Sequence, residues 1–520
     1  MHEDVERCVR AVRSRDTRFD GWFFTAVLTT GIYCRPSCPV MAPKPENMSF
    51  YPSAAAAQQA GFRACKRCRP DAVPGSPEWN ERADLAARAM RLIKDGIVDR
   101  EGTAGLAARL GYSLRQIERQ LRVEVGAGPA ALARAQRAQA ARLLIETTAL
   151  PMADVAFMSG FSSVRAFNDT VRAVFGLSPT GLRSRGRAAD VTGVVSLRLP
   201  FRAPLCPDDL FGHLVASSVP GVEEWRSGAY RRTLRLPHGH GVAELRPADA
   251  SYIQCTLALS DLRDLTTAIN RCRRLLDLDA DPVAIDELLG RDPVMGPLVR
   301  GKPGLRIPQT VDGEEFSIRA LLGQQASMAA ARTHAARLVA AHGVPVTDSG
   351  GGLTHVFPAP AALAGLNPAA LALPQEHRAS VFALIGSLAS GDIDLGAGSD
   401  WRDARTELES LPGVEPGTVE TIALRALGDP DAFPATDPGI RRAAGELSLP
   451  TAPAALIHRA ADWRPWRGYA AQHLWSAGDR PITHDVITAL QATVPSPASP
   501  SAFRCRPARS DAGRSEPIRP

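Results

Sequence analysis

Cysteine is scarce in this chain of 520 residues, which contains nine. Four of the cysteines lie close together near the start, and the other five are scattered. An odd number in this distribution argues against a disulfide framework and favours a metal site in a reducing compartment. The sequence also lacks an apolar run that approaches the ~20 residues of a membrane span, and its first residues lack the apolar core of a signal peptide. We therefore expect a soluble, cytoplasmic protein with no membrane partner.

Charge of one sign is only slightly in excess. The formal net charge is +6, charged residues make up 22% of the chain, and hydrophobic residues make up 45%. This composition is typical of a folded globular protein, and its moderate basicity suits an anionic partner. At this length we expect roughly three or four domains, each able to bury its own core.

Two cysteine pairs stand out, Cys34 with Cys38 and Cys65 with Cys68. Each pair can bind one metal ion, and the loop between the pairs is long enough to bring them together. Four thiolates at this spacing fit a tetrahedral zinc site, with Zn–S distances near ~2.3 Å. A purely structural zinc site is the alternative that the spacing leaves open. Positive charge crowds the sulfurs, which suits contact with a phosphate backbone; it comes from Arg35, Arg63, Lys66, Arg67 and Arg69.

The sequences TGIYCRPSC at residues 30–38 and GFRACKRCRPD at residues 61–71 closely resemble the metal-binding domain of Ada proteins. The resemblance implies that Cys34 accepts a methyl group from a methylphosphotriester in DNA, while Cys38, Cys65 and Cys68 complete the zinc site. Spacing alone does not choose Cys34 over Cys38 as the nucleophile. The expected DNA contacts here are Arg35, Arg63, Lys66 and Arg67.

Zinc would keep the thiols deprotonated at neutral pH, so that a nucleophile is always present. Four thiolates on Zn²⁺ carry a formal charge of −2, which repels phosphate; methylation of one sulfur lowers it to −1. We therefore expect methyl uptake to strengthen DNA binding by the domain that follows.

A unit repeats in the next segment, as LAARLGYS at residues 106–113 and VAFMSGFS at residues 155–162. In a helix-turn-helix, Gly111 and Gly160 would take positive φ, and Tyr112 and Phe161 would pack beneath the turn. The helix after each turn can then enter the major groove. Its expected DNA contacts are Ser113, Arg115, Gln116, Arg119, Ser162, Ser163, Arg165 and Asn168.

The tandem of two such units, closed by FGLSPTGLR at residues 175–183, resembles the AraC/XylS DNA-binding domain. That resemblance implies double-stranded promoter DNA as a partner, and RNA polymerase as the partner of an activator. A plain helical bundle is the alternative.

Alternating patterns at residues 193–199, 230–236 and 252–259 predict strands of an α+β support domain. LFGHL at 210–214 and GVEE at 221–224 resemble the amino-terminal domain of 3-methyladenine DNA glycosylase II (AlkA). FSIRALLGQQ at 316–325, LPGV at 411–414, DAFPATD at 431–437 and WRPWRGY at 463–469, followed by HLW at 473–475, resemble the catalytic domain of such helix-hairpin-helix glycosylases.

By that match Asp437 is the catalytic carboxylate, which offsets the positive charge that builds on the sugar as the N-glycosidic bond breaks. Trp475, which would stack on a flipped base, and Gln324 are expected in the base pocket. Gln325 would be the wedge inserted into the duplex, and Gly413 would offer its backbone to phosphate. An Asp-Pro pair seen alone is most often a simple helix cap.

The hairpin departs from the glycosylase pattern Leu-Pro-Gly-Val-Gly-Pro-Trp. Glu415 replaces a glycine and adds negative charge, together with a Cβ at a position where φ could need to be positive. Gly417 removes an aromatic residue from the expected base pocket, and it occupies the position of the catalytic lysine of lyase-type relatives. We therefore expect no strand nicking.

These observations predict a multidomain, mainly α protein with α+β parts. We expect a zinc-binding domain at 1–77, a helix-turn-helix domain at 78–188, an AlkA N-terminal-like domain at 189–285, a helix-hairpin-helix domain at 286–488 and a disordered tail at 489–520. The predicted function is a nucleoid-associated methylphosphotriester sensor, transcriptional activator and monofunctional glycosylase of alkylated bases, without a methylguanine-transferase module. One alternative is a methylation-sensing transcription factor whose glycosylase part only binds DNA, and another is a zinc-stabilised DNA-binding protein without chemistry.

Overall fold

The computed structural model describes residues 2–70, 85–184 and 194–478, without residues 250, 325, 349 and 368–372. The predicted tail at 489–520 lies outside the described residues. No helix in the described ranges is long and apolar enough to cross a membrane.

The first module is a small sheet flanked by two helices. Its four strands lie in the order β3-β1-β2-β4, in which β1–β3 and β1–β2 are antiparallel and β2–β4 is parallel. Ser53 caps the second helix by accepting a hydrogen bond from the backbone N–H of Ala56. The elements are α1 Val5–Ser14, β1 Phe24–Val27, β2 Ile32–Cys34, β3 Met48–Tyr51, α2 Ala54–Gln59 and β4 Arg63–Ala64.

The second module is entirely helical, and it contains the two predicted helix-turn-helix units. The longest helix, α6, connects the two units and is buried on both sides. Gly102 has φ 71° and kinks the fourth helix. The helices are α3 Leu85–Lys94, α4 Ile97–Leu110, α5 Leu114–Val125, α6 Pro129–Thr147, α7 Met152–Met158, α8 Val164–Phe175 and α9 Pro179–Arg183.

The third module contains an antiparallel sheet in the order β5-β9-β8-β7-β6. Its strands include the three that the alternating patterns predict. The elements are β5 Val194–Pro200, α10 Pro207–Ala216, β6 Glu223–Arg226, β7 Ala229–Leu236, β8 Gly239–Asp249, β9 Tyr252–Leu259 and α11 Leu265–Leu275.

The remaining part is mainly helical and has its own large apolar core, centred on residues such as Leu321, Leu384 and Trp463. A two-stranded ribbon, β10 Val344–Pro345 with β11 His355–Val356, interrupts the helices. The helices are α12 Pro282–Leu289, α13 Met295–Gly301, α14 Gly313–Gly323, α15 Met328–His342, α16 Pro360–Leu363, α17 Gln375–Ser390, α18 Trp401–Ser410, α19 Pro416–Ile422, α20 Pro438–Glu446, α21 Pro453–Ala460 and α22 Arg467–Gly478. A π-helical turn, Ala423–Leu427, follows α19.

The modules pack against one another. One apolar cluster includes Tyr33 from the first module, Phe167 from the second and Leu257 from the third. Helix α3 of the second module docks on the loop before α18 of the helical part. Arg88 and Arg91 each donate a hydrogen bond of 2.8 Å from Nε, to the carbonyl oxygens of Gly398 and Ala397 respectively. We call this contact the α3 dock; it also includes the Arg91 guanidinium, 5.1 Å from the Trp401 ring centroid.

Candidate metal centre and candidate active site

The sulfur atoms of Cys34, Cys38, Cys65 and Cys68 lie within 4.8 Å of one another. The sheet brings them together, because the parallel pairing of Tyr33 with Ala64 places the end of β2 beside the end of β4. The backbone N–H of Cys65 donates to the carbonyl oxygen of Tyr33 at 3.0 Å, which fixes the second cysteine pair against the first.

These four sulfurs fit one zinc ion. A tetrahedral site with Zn–S distances of ~2.3 Å has sulfur atoms about 3.8 Å apart, well inside the observed spacing. Hydrogen bonding to Cys38, followed by that to Cys65 and Cys68, raises the pKa of the Cys34 thiol, so crowding alone would keep it protonated. A dication among the sulfurs reverses that preference, because a coordinated thiol is deprotonated.

Cys34 differs from the other three cysteines in exposure. It is half-buried, whereas Cys38, Cys65 and Cys68 are at most 9% exposed. Cys34 is therefore the cysteine of the cluster that a group from outside can reach most easily.

The flanking cations occupy two different environments. Arg35 is half-buried and pairs with Asp20 at 3.3 Å, and this carboxylate also accepts hydrogen bonds from the backbone N–H and hydroxyl of Ser37. Arg35 therefore also braces the cysteine loop. Arg63, Lys66 and Arg67 are exposed, as a DNA contact requires. Asp20 is a functional candidate that sequence reasoning missed, because its partners lie in the cysteine loop rather than beside it in sequence.

The two helix-turn-helix units have the predicted turns, with φ 73° at Gly111 and φ 82° at Gly160. Phe161 is 5% exposed and packs beneath its turn, but Tyr112 is 44% exposed, so the prediction that both aromatic residues are buried is wrong for Tyr112. Leu106, Ile117 and Leu121 fill the apolar interior of the first unit, so this core is complete without the tyrosine ring.

The predicted groove-facing side chains lie on α5 and α8 or directly before these helices. Seven of the eight are exposed and Asn168 is half-buried. Some of them also stabilise the helix starts: Ser113 and Gln116 form a capping box, and Ser163 accepts a hydrogen bond from the backbone N–H of Ala166. The exposed positions are Ser113, Arg115, Gln116, Arg119, Ser162, Ser163 and Arg165.

Asp437 is the N-cap of α20, followed by Pro438 at the first helical position. Its Oδ1 accepts hydrogen bonds from the backbone N–H of Ile440 at 2.9 Å and from the indole Nε1–H of Trp475 at 2.8 Å. Its Oδ2 accepts none from the residues that the structure describes. One oxygen is thus held in place while the other is left for a group that approaches from outside.

Trp475, predicted to stack on a flipped base, is held by two side chains. Its indole N–H is bonded to Asp437, and the guanidinium of Arg425 lies over its ring, 5.0 Å from the centroid. One ring face is therefore covered, and only the opposite face can take a base. Arg425 was missed in the sequence, where the available signal was a single charge inside the apolar run of residues 422–427.

Gln324, predicted in the base pocket, forms hydrogen bonds to the hairpin. Its Nε2 donates to the carbonyl oxygen of Gly413 at 2.8 Å, and its Oε1 accepts from the N–H of Glu415 and the hydroxyl of Thr418. These three bonds fasten the hairpin to the end of α14, and the place of Gln324 in a base pocket stays a prediction. The wedge candidate Gln325 lies outside the described residues.

The hairpin is unstrained at Glu415. Gly413 has φ 73°, the conformation that favours glycine, whereas Glu415 has φ −81° and is exposed. The expectation of a positive φ at Glu415 is therefore wrong, and only its charge remains unusual. A Cβ added at Gly417 would meet the hydroxyl of Thr436, the residue before Asp437. The missing side chain at Gly417 therefore lets Thr436 pack directly against the start of α19.

Three family models match separate parts of the chain: the metal binding domain of Ada at residues 7–71, a helix-turn-helix domain at 106–185 and the AlkA N-terminal domain at 196–312. The chain is 60% identical over 487 residues to the "probable bifunctional transcriptional activator/DNA repair enzyme AlkA" of Mycobacterium tuberculosis, covering 93% of this chain and 98% of that protein.

Two proteins of Escherichia coli each match about half of this chain. DNA-3-methyladenine glycosylase 2 is 30% identical over 273 residues, covering 51% of this chain and 92% of that protein. The bifunctional transcriptional activator/DNA repair enzyme Ada is 30% identical over 278 residues, covering 52% of this chain and 71% of that protein.

Proposed function

Because the chain belongs to the family of bifunctional transcriptional activator/DNA repair enzymes, matching one member over 98% of its length, we propose that it senses alkylated DNA and also excises alkylated bases. Double-stranded DNA, damaged or carrying a promoter, is its partner. RNA polymerase is the partner through which the helix-turn-helix module would activate transcription.

Cys34 is the proposed methyl acceptor. Its thiolate attacks the methyl carbon of a methylphosphotriester, the carbon–sulfur bond forms as the carbon–oxygen bond breaks, and the phosphate leaves as an ordinary anionic diester. The observation that carries this proposal is that Cys34 is half-buried in a cluster whose other three cysteines are at most 9% exposed. A zinc ion held by Cys34, Cys38, Cys65 and Cys68 would keep the sulfurs ionised at neutral pH.

Methyl transfer would also act as a switch. It removes one negative charge from a cluster that lies next to the exposed cations Arg63, Lys66 and Arg67. Arg63 lies against Gly176 at the end of α8, so this charge change occurs beside the second proposed recognition helix. Phosphate contacts depend strongly on local charge, so methylated protein should bind DNA more tightly.

Asp437 is the proposed glycosylase carboxylate. Its free Oδ2 can face the sugar of an extruded nucleotide, where an anion stabilises positive charge on the sugar while the base departs. Water then completes hydrolysis at the sugar carbon. No lysine occupies the Gly417 position, so we propose base release without strand nicking.

The test is direct. Incubation of the full-length protein with a methylated duplex should add one methyl per chain by mass spectrometry and should release free alkylated base by chromatography. Methyl uptake without base release would favour a methylation-sensing transcription factor whose glycosylase part only binds DNA. If neither methyl uptake nor base release occurs while zinc is bound, the protein is a DNA-binding protein without chemistry.

Glu415→Gln should raise the affinity for undamaged duplex about two- to fivefold, because it removes one negative charge from an exposed hairpin that faces phosphate in the proposed complex. Fluorescence anisotropy at two salt concentrations would measure this. Glu446→Gln, at the other end of the helix that Asp437 begins, is the matched control and should bind like the parent protein. Equal affinities for all three proteins would show that the hairpin does not approach phosphate.

A further inference from the structure

A guanidinium is buried next to the candidate glycosylase carboxylate. Arg425 is 5% exposed and lies in the π-helical turn Ala423–Leu427, inside the large apolar core of the helical part. Such turns widen a helix locally, and they are frequent at functional sites.

Arg425 is held by neutral groups. Its Nη1 donates to the carbonyl oxygen of Pro308 at 2.9 Å, and its Nη2 lies 3.4 Å from Oε1 of Gln472. In the part of the chain that the structure describes, it forms no ion pair with a carboxylate. Burial lowers the pKa of Arg425 to about 10, and the negative charge of Asp437 acts in the opposite direction on this pKa. Burying a charge without a direct partner of opposite charge costs free energy, so Arg425 is a candidate for a functional role.

Trp475 stands between Arg425 and Asp437. The guanidinium carbon lies 5.0 Å from the ring centroid, within the range of a cation–π contact, and the indole N–H donates to Asp437 Oδ1 at 2.8 Å. Gln472, the other side chain that Arg425 contacts, lies one turn earlier on the same helix. Arg425 therefore holds both the helix that carries the indole and the ring itself.

We propose that Arg425 is a positioning residue for base excision: by holding the Trp475 ring from one face, it aims the indole N–H at Asp437 Oδ1 and leaves Oδ2 turned to the sugar. A cation over the ring face also makes the indole N–H a stronger donor. The covered face leaves the opposite face as the surface on which an extruded base can stack. This inference rests on the proposed glycosylase activity.

The positive charge of Arg425 has two opposite effects on the rate of base release. The cation opposes the positive charge that builds on the sugar, and it supports the side chain that orients the carboxylate. The indole lies between Arg425 and Asp437, and the carboxylate directly faces the sugar. We therefore expect the loss of positioning to outweigh the relief of repulsion when Arg425 is replaced.

The experiment uses full-length parent, Arg425→Met and Arg425→Lys proteins, each checked by thermal unfolding. Methionine retains apolar bulk without charge, and lysine retains charge without the planar group. Two readouts are taken: the single-turnover rate of base release, and the binding preference for a duplex with a cationic pyrrolidine over one with a neutral tetrahydrofuran at the abasic position. We expect Arg425→Met to lower both about tenfold, with affinity for the tetrahydrofuran duplex within about twofold, and Arg425→Lys to recover part of the loss.

Coupling to Trp475 is tested in the same assays. In a Trp475→Phe background, which lacks the indole N–H, Arg425→Met should change either readout by less than about twofold. A full, independent loss in that background, or a parental or increased pyrrolidine preference in Arg425→Met, would overturn the inference. If the parent releases no base but its pyrrolidine preference falls in Arg425→Met, the glycosylase proposal fails and the positioning inference stands.

Discussion

Cys34→Ala is expected to abolish methyl uptake from methylated DNA. The variant removes the most exposed cysteine of the cluster, while the buried residues Cys38, Cys65 and Cys68 remain. Because the acceptor atom itself is lost, uptake should fall to the background of the assay. Intact-protein mass spectrometry would measure the mass gain, and peptide mapping of the parent would locate the methyl group.

Cys206→Ala provides the matched control. Cys206 is also a half-buried free thiol, hydrogen-bonded to Asp209 rather than gathered with other sulfurs, and its removal should leave methyl uptake at the parental level. Zinc content is measured for each variant, so that loss of metal can be told from loss of the acceptor. A methyl group found on Cys38, Cys65 or Cys68 of the parent would reassign the nucleophile.

Asp437→Asn should reduce base release by at least about a thousandfold, because a neutral amide cannot offset positive charge on the sugar. The fold should survive the change. An asparagine Oδ1 can still accept the hydrogen bonds from Ile440 and Trp475, and asparagine is as good an N-cap as aspartate. Single-turnover release from alkylated duplex is the measurement, with DNA affinity followed in parallel and expected to change little.

The chain offers a close control for this substitution. Asp281 also caps a helix and is also followed by proline at the first helical position, and it accepts hydrogen bonds from the N–H groups of Val283 and Ala284. Asp281→Asn should therefore release base at the parental rate. A small effect of Asp437→Asn, similar to that of Asp281→Asn, would reduce Asp437 to a helix cap.

The parts that sequence could predict are those that local constraints determine. Cys65 and Cys68 indicate a metal site because their spacing places two ligands in one turn. Gly111 and Gly160 indicate turns because glycine tolerates a positive φ best. The strands at 230–236 and 252–259 follow from alternation. The four-cysteine zinc cluster, the helix-turn-helix units and the mixed fold are confirmed in the structure.

Sequence could not reveal contacts between distant segments. Gln324 resembles a pocket residue by its position, but its amide is used by the hairpin about ninety residues later, as its bonds to Gly413 and Glu415 show. Arg425 has no local signature, because its meaning comes from Trp475 on another helix. Tyr112 occupies the same place in its repeat as Phe161, but the core of its unit closes without it.

The α3 dock has a consequence for how this protein would search a genome. Gly398 lies so close to the Leu92 side chain that any larger residue at 398 would collide with it, and Arg88 and Arg91 bond to the backbone at this contact. The helix-turn-helix module and the helical part are therefore in direct contact, in addition to being joined along the chain. DNA bound by the helix-turn-helix module would therefore lie at a distance from the helical part that this contact determines. The effective concentration of the helical part near that DNA would then depend on the contact and not on linker length.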